Sequence, residues 1–291
     1  MKKRFSILAV VACTLGVLAL VLAGCGGGAS SSSAASGSAP SESGSPAASD
    51  SATSDGSYKL VSEGTLTCVS EIGFPPFEYM EEGSSEPVGY DIDVANEVAK
   101  RMGLTCKFLP SQNFDTLLTT ISEGSKADIA IAGITIQADR AKTVDFSDPY
   151  YSSNLALIVK KGSGETAESL NAKDKKVACQ RGTTGDTWIG ENIPNADKKA
   201  LDDVAAGLAG VSTGTYNAYV IDLPVAEKQL KDYTDLEIVE KIATGEEYGI
   251  AVSKKNPELT KAINEALEEM KSDGTLDKIA EKWLSKEATS A

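Results

Sequence analysis

Short apolar runs alternate with segments of helical periodicity along most of the chain. "TLTCVSE", "LTCKFLP" and "ADIAIAG" have the β-branched and apolar content of strands. "YDIDVANEVAKRMG" lies between the first two and carries Ile92, Val98 and Met102 at helical spacing, with Asp91 placed to cap the helix and Gly103 to end it. "FDTLLTTISEG" predicts a second helix before the third strand. This alternating order predicts a parallel, doubly wound α/β sheet.

A second unit of the same kind begins near Leu155. The runs "LALIVKK", "KVACQ" and "AYVI" predict strands, and "TTGDTWIGENI", "DVAAGLAG" and "LPVAEKQLK" predict helices, the last capped by Asp222 with Pro224 in its first turn. After "EYGIAVS" come two further predicted helices, "PELTKAINEALEEMKSDG" and "TLDKIAEKWLSK". Ligands of such sheets bind beyond the carboxyl ends of the strands, so residues at those ends are the candidates for function.

The start of the chain predicts export and tethering. Basic residues at 2–4 precede an apolar run over 5–23, which is the architecture of an export signal or of an uncleaved anchor. "LAGC" ends at Cys25 and resembles the lipobox of bacterial lipoproteins; the resemblance implies a signal peptide over 1–24 and a lipid on Cys25. Residues 25–57 are almost entirely Ser, Gly, Ala and Pro, which predicts a disordered tether between this lipid anchor in the cell membrane and the globular part.

Charge and composition exclude several kinds of function. The formal net charge of -14 disfavours nucleic acid and anionic membrane as partners. The chain has no histidine, which excludes Ser-His-Asp and Cys-His nucleophile systems in their usual form. Cys68, Cys106 and Cys179 fall in strand-like runs without a CxxC pair, so we expect buried thiols and neither a metal site nor a cofactor. A disulfide between Cys68 and Cys106 is open if their strands are neighbours.

Polar residues suited to a free amino acid follow several predicted strands. The carboxylate of an α-amino acid needs cationic or N–H donors, and its ammonium needs a carboxylate with neutral acceptors. Arg140, the Thr135 hydroxyl and the Gly133 backbone, beside an expected helix N-terminus, supply donors on one unit. The "RGTTG" loop with Thr184 supplies donors on the other, and Asp222 supplies the carboxylate. These groups converge if the two units face each other across a cleft.

Each of these residues also has a purely structural interpretation. Asp222 before Leu223 and Pro224 has the pattern of a helix N-cap. "AGITIQADR" is compatible with an ordinary helix start that ends in a solvated arginine, and "RGTTG" with a simple turn. Phe74 and Phe114 suit a hydrophobic core, and Glu71 a solvated strand end.

Taken together, six segments resemble the polar amino acid solute-binding proteins of ABC importers. They are "GTLTCVSEIGFPPFEYM", "GYDIDVANEVAKRMGL", "ADIAIAGITIQADRAKTVDFSDPYY", "ACQRGTTG", "YNAYVIDLPVA" and "EYGIAVSKKNPEL", in chain order. The resemblance covers nearly all of 64–286, and the block from the glycine-x-threonine through Arg140 to "DFSDPYY" is its most specific part. Arg181 stands where many members of that family have a neutral residue.

The resemblance implies the two-lobed periplasmic-binding-protein-like fold of type II, in which two crossover strands join doubly wound lobes. Lobe 1 then consists of 58–154 with 250–291, and lobe 2 of 155–249, with the ligand between them. The family's ligand contacts fall here on Arg140 for the carboxylate, Gly133 and Thr135 beside it, Thr184 for the carboxylate from lobe 2, Asp222 for the ammonium, and Phe74 and Phe114 around the side chain.

Specificity is expected to come from Glu71, at a position where relatives often carry an acid that meets the ligand side chain. A carboxylate between Phe74 and Phe114 favours arginine or lysine by charge pairing and cation–π contact. Glutamine and cystine stay open as ligands. Aspartate and glutamate are disfavoured unless Gln180 or Arg181 reaches the ligand.

These expectations describe a monomeric, extracytoplasmic lipoprotein that binds an amino acid and delivers it to the transmembrane permease of an ABC importer. Two alternatives share the fold. One is a prephenate or arogenate dehydratase, which needs a carboxylic acid as general acid, with Glu71 as the candidate. The other is a surface lipoprotein that senses its ligand and presents the bound form to a receptor.

Overall fold

The computed structural model describes residues 58–285, in which helices and strands alternate as the sequence predicts. The predicted signal peptide, the tether and Cys25 lie outside the described residues. The helices are α1 (Tyr90–Arg101), α2 (Phe114–Glu123), α3 (Ala167–Leu170), α4 (Thr184–Asn192), α5 (Val204–Ser212), α6 (Leu223–Gln229), α7 (Pro257–Ser272) and α8 (Thr275–Leu284). The strands are β1 (Thr65–Val69), β2 (Tyr79–Met80), β3 (Pro87–Val88), β4 (Thr105–Phe108), β5 (Ile129–Ala130), β6 (Asp145–Phe146), β7 (Tyr151–Lys160), β8 (Lys176–Gln180), β9 (Asp197–Leu201), β10 (Ala218–Asp222), β11 (Leu236–Tyr248) and β12 (Ala251–Val252).

Two five-stranded sheets organise these elements. The first has the order β4-β1-β5-β12-β6, with parallel pairing of β1 to β4 and β5 and antiparallel pairing of β12 to its neighbours. The second has the order β11-β7-β10-β8-β9, in which β8 is parallel to both β10 and β9. The expected parallel pairing therefore holds for three strands on one side of each sheet, β4-β1-β5 and β10-β8-β9, while the pairing on the other side is antiparallel. We call the residues around the first sheet the first lobe and those around the second sheet the second lobe.

Helices cover both faces of each sheet. Successive side chains along a strand point to opposite faces, so they pack against different helices. In the second sheet, Ile158 and Tyr219 pack with the core of α5 and α6, whereas Leu157 and Val220 pack with that of α4. The first sheet divides in the same way between α1 with α7 on one face and α2 on the other. This arrangement is the doubly wound layering that the sequence predicts.

Strands β7 and β11 carry the chain between the two sheets. They pair antiparallel along nearly their whole length, from Leu236 opposite Lys160 to Tyr248 opposite Tyr151. The sequence predicts crossovers near these places but not the 13-residue strand β11, whose second half is mostly polar and exposed. Strand β9 was also not predicted, because "DKKAL" lacks strand-like apolar content.

Asp91 does not cap helix α1, which corrects the sequence-based interpretation. The N-cap is Gly89, and the Asp91 side chain lies fully buried inside the first turn. Its Oδ2 accepts hydrogen bonds from the Gly133 amide at 2.7 Å and from the Tyr150 hydroxyl at 2.8 Å. Glu78 is buried beside it, and this burial raises the pKa of Glu78 well above its ordinary value and that of Asp91 to about 6. The acid therefore supports the loop after β5 rather than the helix end.

Cys68 and Cys106 lie on the neighbouring strands β1 and β4, which meets the condition for a disulfide that the sequence left open. Their Sγ atoms are 3.5 Å apart, and both residues, like Cys179, are free thiols. Burial raises the pKa of Cys68 well above its ordinary value, so the thiol form is favoured there. No helix in the part of the chain that the structure describes is long and apolar enough to cross a membrane.

Gly89 is expected to tolerate no side chain. Its φ of 135° and ψ of 178° belong to a region that essentially only glycine occupies, and an added Cβ would lie 2.1 Å from the Phe77 carbonyl oxygen. Gly89→Ala should therefore lower the free energy of unfolding by about 2–5 kcal/mol through strain and overpacking. Gly103→Ala is the matched control, since Gly103 has a φ of 70° but open space around it, and should cost about 1–2 kcal/mol. Equal losses in urea denaturation would contradict this account.

Candidate functional site

One cavity between the two lobes collects all nine residues that the sequence singles out for ligand binding. The space around its lining atoms is about 280 Å³, which includes space open to solvent. Two further residues, Ala132 and Thr183, also line it. The nine predicted residues on its walls are Glu71, Phe74, Phe114, Gly133, Thr135, Arg140, Gln180, Thr184 and Asp222.

The fold brings these side chains together because most of them follow the carboxyl ends of strands. Glu71 comes two residues after β1, and residues 132–135 follow β5 in the first lobe. Gln180 and Asp222 are the last residues of β8 and β10 in the second lobe, and Thr184 begins α4 directly after β8. The sheet ends of both lobes thus face one cavity, which is where ligands of open α/β sheets bind.

Arg140 spans the cavity from the first lobe to the second. Its Nη1 donates to the Thr135 carbonyl at 2.8 Å, and its Nη2 donates to the Gly182 carbonyl at 3.0 Å, across the lobe boundary. The guanidinium also lies over the Phe114 ring, 5.3 Å from its centroid. Desolvation lowers the pKa of Arg140, against the nearby charges of Glu246 and Asp222, which raise it. At such a lowered pKa an arginine is still a cation.

The helix start expected in "AGITIQADR" is wrong. The structure has only a three-residue 3-10 turn, Arg140–Lys142, which is too short to supply the partial positive charge of a helix N-terminus. The amide of Gly133 is not free for a ligand either, because it donates to Asp91. An added Cβ at Gly133 would lie 3.1 Å from the Phe74 ring, so the glycine keeps this wall of the cavity open. The positive charge on the first-lobe side of the cavity therefore comes from the Arg140 guanidinium alone.

Asp222 stands at the N-terminus of α6 but does not cap it with its side chain. Its carboxylate instead accepts a hydrogen bond from the Tyr248 hydroxyl. Asp222 is 7% exposed, and its pKa is raised to about 8, first by desolvation and then by the charge of Glu246. The capping interpretation is therefore wrong, and a buried acid faces the cavity opposite Arg140.

Glu71 and Gln180 form a second contact across the lobe boundary. The Gln180 Nε2 donates to both carboxylate oxygens of Glu71 at 2.6 Å. Desolvation raises the pKa of Glu71 to about 7, although the bond from Gln180 lowers it. Phe74 lies on the same cavity wall, so the acid sits among aromatic surface rather than in bulk water.

The loop after β8 presents Thr184 to the cavity while other residues stabilise the loop itself. Thr183 is the side-chain cap of α4 and accepts from the Asp186 amide at 3.3 Å. Arg181 points away from the cavity, with its Nε donating to Asp202 at 2.9 Å and its Nη2 to the Ala200 carbonyl at 2.9 Å. Arg181 therefore pairs with an acid of its own lobe and does not line the ligand cavity.

Two residues that sequence reasoning missed border the predicted set, and both belong to β11. Tyr248 is fully buried and donates to Asp222, and Glu246 is 6% exposed and accepts from the Thr135 hydroxyl at 3.2 Å. In "TGEEYG" nothing distinguishes Glu246 from its neighbour Glu247, which is exposed. Only the path of β11 between the lobes decides which glutamate turns inward.

The site was compared with known proteins. Residues 66–286 match the family described as bacterial extracellular solute-binding proteins, family 3. The L-cystine-binding protein TcyJ of Escherichia coli (strain K12) is 30% identical over 233 residues, which cover 79% of this chain and 86% of that protein. The arginine-binding periplasmic protein of Mannheimia haemolytica is 34% identical over 221 residues, covering 74% and 90%.

A solved structure supports the same relationship. An ancestral arginine-binding protein bound to arginine is 40% identical to this chain and superimposes with a TM-score of 0.72. The match covers 77% of this chain and 99% of that one. It confirms the two-lobed fold that the sequence predicts.

The buried acid Glu71 gives the ligand-free protein a testable dependence on pH. A carboxyl whose folded pKa is raised stabilises the fold fully below its unfolded pKa, and this stability is lost as pH rises through the folded value, here about 7. The melting temperature of the wild type should therefore fall between pH 5 and pH 8, and Glu71→Gln should fall less. Glu81→Gln, at an exposed glutamate, is the control and should follow the wild type. A Glu71→Gln curve parallel to the wild-type curve would contradict the assignment.

Proposed function

Because the chain belongs to the bacterial extracellular solute-binding proteins, family 3, we propose that it captures a polar L-amino acid between its two lobes. A ligand with a cationic side chain, arginine or lysine, is favoured. The captured amino acid is then delivered to the membrane permease of an ABC importer. The single observation that supports this most strongly is the presence of Arg140 and Asp222 on the walls of one cavity.

The two charges match the two ends of an amino acid. The Arg140 guanidinium donates to two neutral carbonyls, those of Thr135 and Gly182. A ligand carboxylate is a better acceptor, since hydrogen bonds between ionised partners are about twice as strong as neutral ones. The backbone amide of Thr184, which lines the same cavity, completes the carboxylate site. Asp222 then takes the ammonium, together with the carbonyl of Gly133.

Glu71 is proposed to select the side chain. Its carboxylate already receives both hydrogen bonds from Gln180, and a guanidinium or ammonium would supply stronger, charged donors in their place. Phe74 and Phe114 provide aromatic faces for such a cation. Relatives named for arginine and for cystine are similar to this chain to a comparable degree, so arginine and lysine are favoured here on the charge of Glu71 rather than on similarity.

Closure of the lobes is proposed to accompany capture. A ligand that contacts both lobes shifts the balance toward the closed form by its higher affinity for that form. Arg140 to Gly182 and Glu71 to Gln180 are the contacts that a ligand would exchange for its own. We place the lobe boundaries where the crossover strands pass between the sheets, with 58–154 and 250–291 in lobe 1 and 155–249 in lobe 2.

The remaining expectations belong to this proposal. Lipid attachment at Cys25 would hold the protein at the outer face of the cell membrane as a monomer, with a flexible tether to reach the permease. A dehydratase reaction would need Glu71 as general acid, and its raised pKa is compatible with that role. Binding without chemistry is nevertheless the better account, because the carboxyl is already paired with Gln180 and the similar proteins are named as binding proteins. Release of an aromatic product from prephenate or arogenate would identify the enzyme instead.

Arg140→Ala tests the carboxylate clamp. Two charge-assisted hydrogen bonds of about 1.5–3 kcal/mol each would be lost, so the affinity for L-arginine should fall at least about 100-fold in titration calorimetry. The circular dichroism spectrum should stay unchanged, because Arg140 lies on a short turn at the cavity wall. Lys142→Ala removes a neighbouring, exposed cation and should bind like the wild type. Unchanged affinity in Arg140→Ala would contradict the clamp.

A further inference from the structure

Glu246 lies directly behind the ligand cavity on the crossover strand β11. It does not line that cavity, but it shares an adjoining open groove with Thr135 and Thr184, which line both. Its Oε2 accepts from the Thr135 hydroxyl of the first lobe at 3.2 Å. A hydrogen bond from the Thr184 side chain, in the second lobe, lowers its pKa. One carboxylate therefore holds hydroxyls from both lobes.

The backbone of β11 turns this particular residue inward. The pairing of β11 with β7 is interrupted between Ile242 and Glu246, and regular pairing resumes from Glu246 opposite Ser153. Residues 243–245 and Glu247 are exposed, whereas Glu246 is buried. Burying a carboxylate is costly unless charged or hydrogen-bonding partners compensate for the lost water. The hydrogen-bonding partners of Glu246 are residues of the ligand site. Contacts with that site therefore offset the cost of burying its carboxylate.

Glu246 also lies close to Asp222, and two neighbouring acids that are both largely buried cannot both be ionised easily. Desolvation is the largest cause that raises the pKa of each, and the charge of Glu246 is the next cause for Asp222. Hydrogen bonds from Thr184 and Thr135 and the charge of Arg140 lower the pKa of Glu246. These causes favour the proton on Asp222 and the ionised form on Glu246.

Other ionisable groups around the pair do not change this assignment. The Tyr248 hydroxyl donates to Asp222 and favours its ionised form, but the pKa of Asp222 still lies at about 8. Burial raises the pKa of Tyr151 to about 12 and the pKa values of Tyr219 and Glu78 well above their ordinary values, and the charge of Asp222 is a smaller cause in each case. Arg140 is the cation that faces Glu246.

We propose that Glu246 is a positioning residue for amino-acid capture, which orients Thr135 and Thr184 and holds one proton on Asp222 until the ligand ammonium replaces it. An ionised Glu246 can only accept, so the Thr135 hydroxyl donates to it and turns its lone pairs toward the cavity. This makes Thr135 an acceptor for the ligand ammonium rather than a donor to its carboxylate. This inference rests on the proposed function and adds to it the release of a proton when the ligand binds.

Capture then releases a proton from Asp222. The proton leaves to solvent or buffer as the ammonium moves in, and no covalent bond of the ligand changes. The ligand ammonium lowers the pKa of Asp222 from about 8. The affinity therefore rises with pH below about 8 and levels off above it. Replacing Glu246 by a neutral residue removes a charge that raises the pKa of Asp222. A smaller fraction of Asp222 is then protonated before binding, so fewer protons are released.

Titration calorimetry of the wild type, Glu246→Gln and Glu247→Gln with L-arginine tests this, with L-glutamine and L-cystine as further probes. Each titration is run at pH 7 in two buffers of different ionisation enthalpy, which gives the number of protons released, and at pH 6, 7 and 8. At pH 7 the wild type and Glu247→Gln should release up to about one proton from Asp222 with every probe. With L-arginine they should release up to about half a proton more from Glu71, whose pKa is about 7. Their affinity should rise with pH by up to about tenfold per pH unit for each group that loses a proton. Glu246→Gln should still bind but release clearly fewer protons, with a flatter pH profile.

The outcomes separate this inference from the function on which it rests. Equal proton release in Glu246→Gln and the wild type, or pH-independent binding by the wild type, overturns the role of Glu246 while amino-acid capture stands. A folded Glu246→Gln variant that loses affinity without any change in proton release shows a merely structural role and also overturns it. Failure of the wild type to bind all three probes overturns the proposed function itself.

Discussion

Ionised groups buried away from water must find partners of opposite charge, and this constraint governs the cavity between the lobes. Arg140 is the cation that faces it, and Asp222 and Glu246 lie within reach of its field. The Arg140 guanidinium donates to two backbone carbonyls, and burial raises the pKa of Asp222 to about 8. A zwitterion would supply charged partners for both groups. Its carboxylate can accept hydrogen bonds from Arg140, and its ammonium can pair with the acids. This pair of groups therefore suits the α-carboxylate and α-ammonium of an amino acid.

The same constraint explains why the contacts between the lobes are adjustable. The Arg140 to Gly182 and Gln180 to Glu71 hydrogen bonds each replace a contact that a ligand or water can also make. Net contributions of such bonds are modest, about 0.5–3 kcal/mol, so the closed form is not locked without a ligand. The paired strands β7 and β11 are the covalent connection between the lobes, and they bring Glu246 and Tyr248 to the cavity from behind. The connecting strands and the candidate ligand site are thus physically continuous.

Much of this could be predicted from sequence because strand ends are marked locally. Apolar runs followed by polar residues located Glu71, Thr135, Thr184 and Asp222, and parallel-sheet geometry explains their convergence. The partners of these groups were not predictable, since Asp91 meets Gly133 and Tyr248 meets Asp222 only through tertiary structure. Local sequence patterns also predicted that Asp91 and Asp222 cap helices. In both cases the side chain is instead buried and hydrogen-bonded to a residue outside the helix.

The central claim, capture of a zwitterion by opposite charges on two lobes, is tested most directly by a melting-temperature screen of the wild-type protein. The common L-amino acids, cystine, ornithine and citrulline are compared with the methyl ester and the Nα-acetyl derivative of arginine. We expect L-arginine or L-lysine to raise the melting temperature most, and neither derivative to raise it, because each lacks one of the two charges. A screen in which no amino acid raises the melting temperature, or in which the blocked derivatives match L-arginine, would contradict the account.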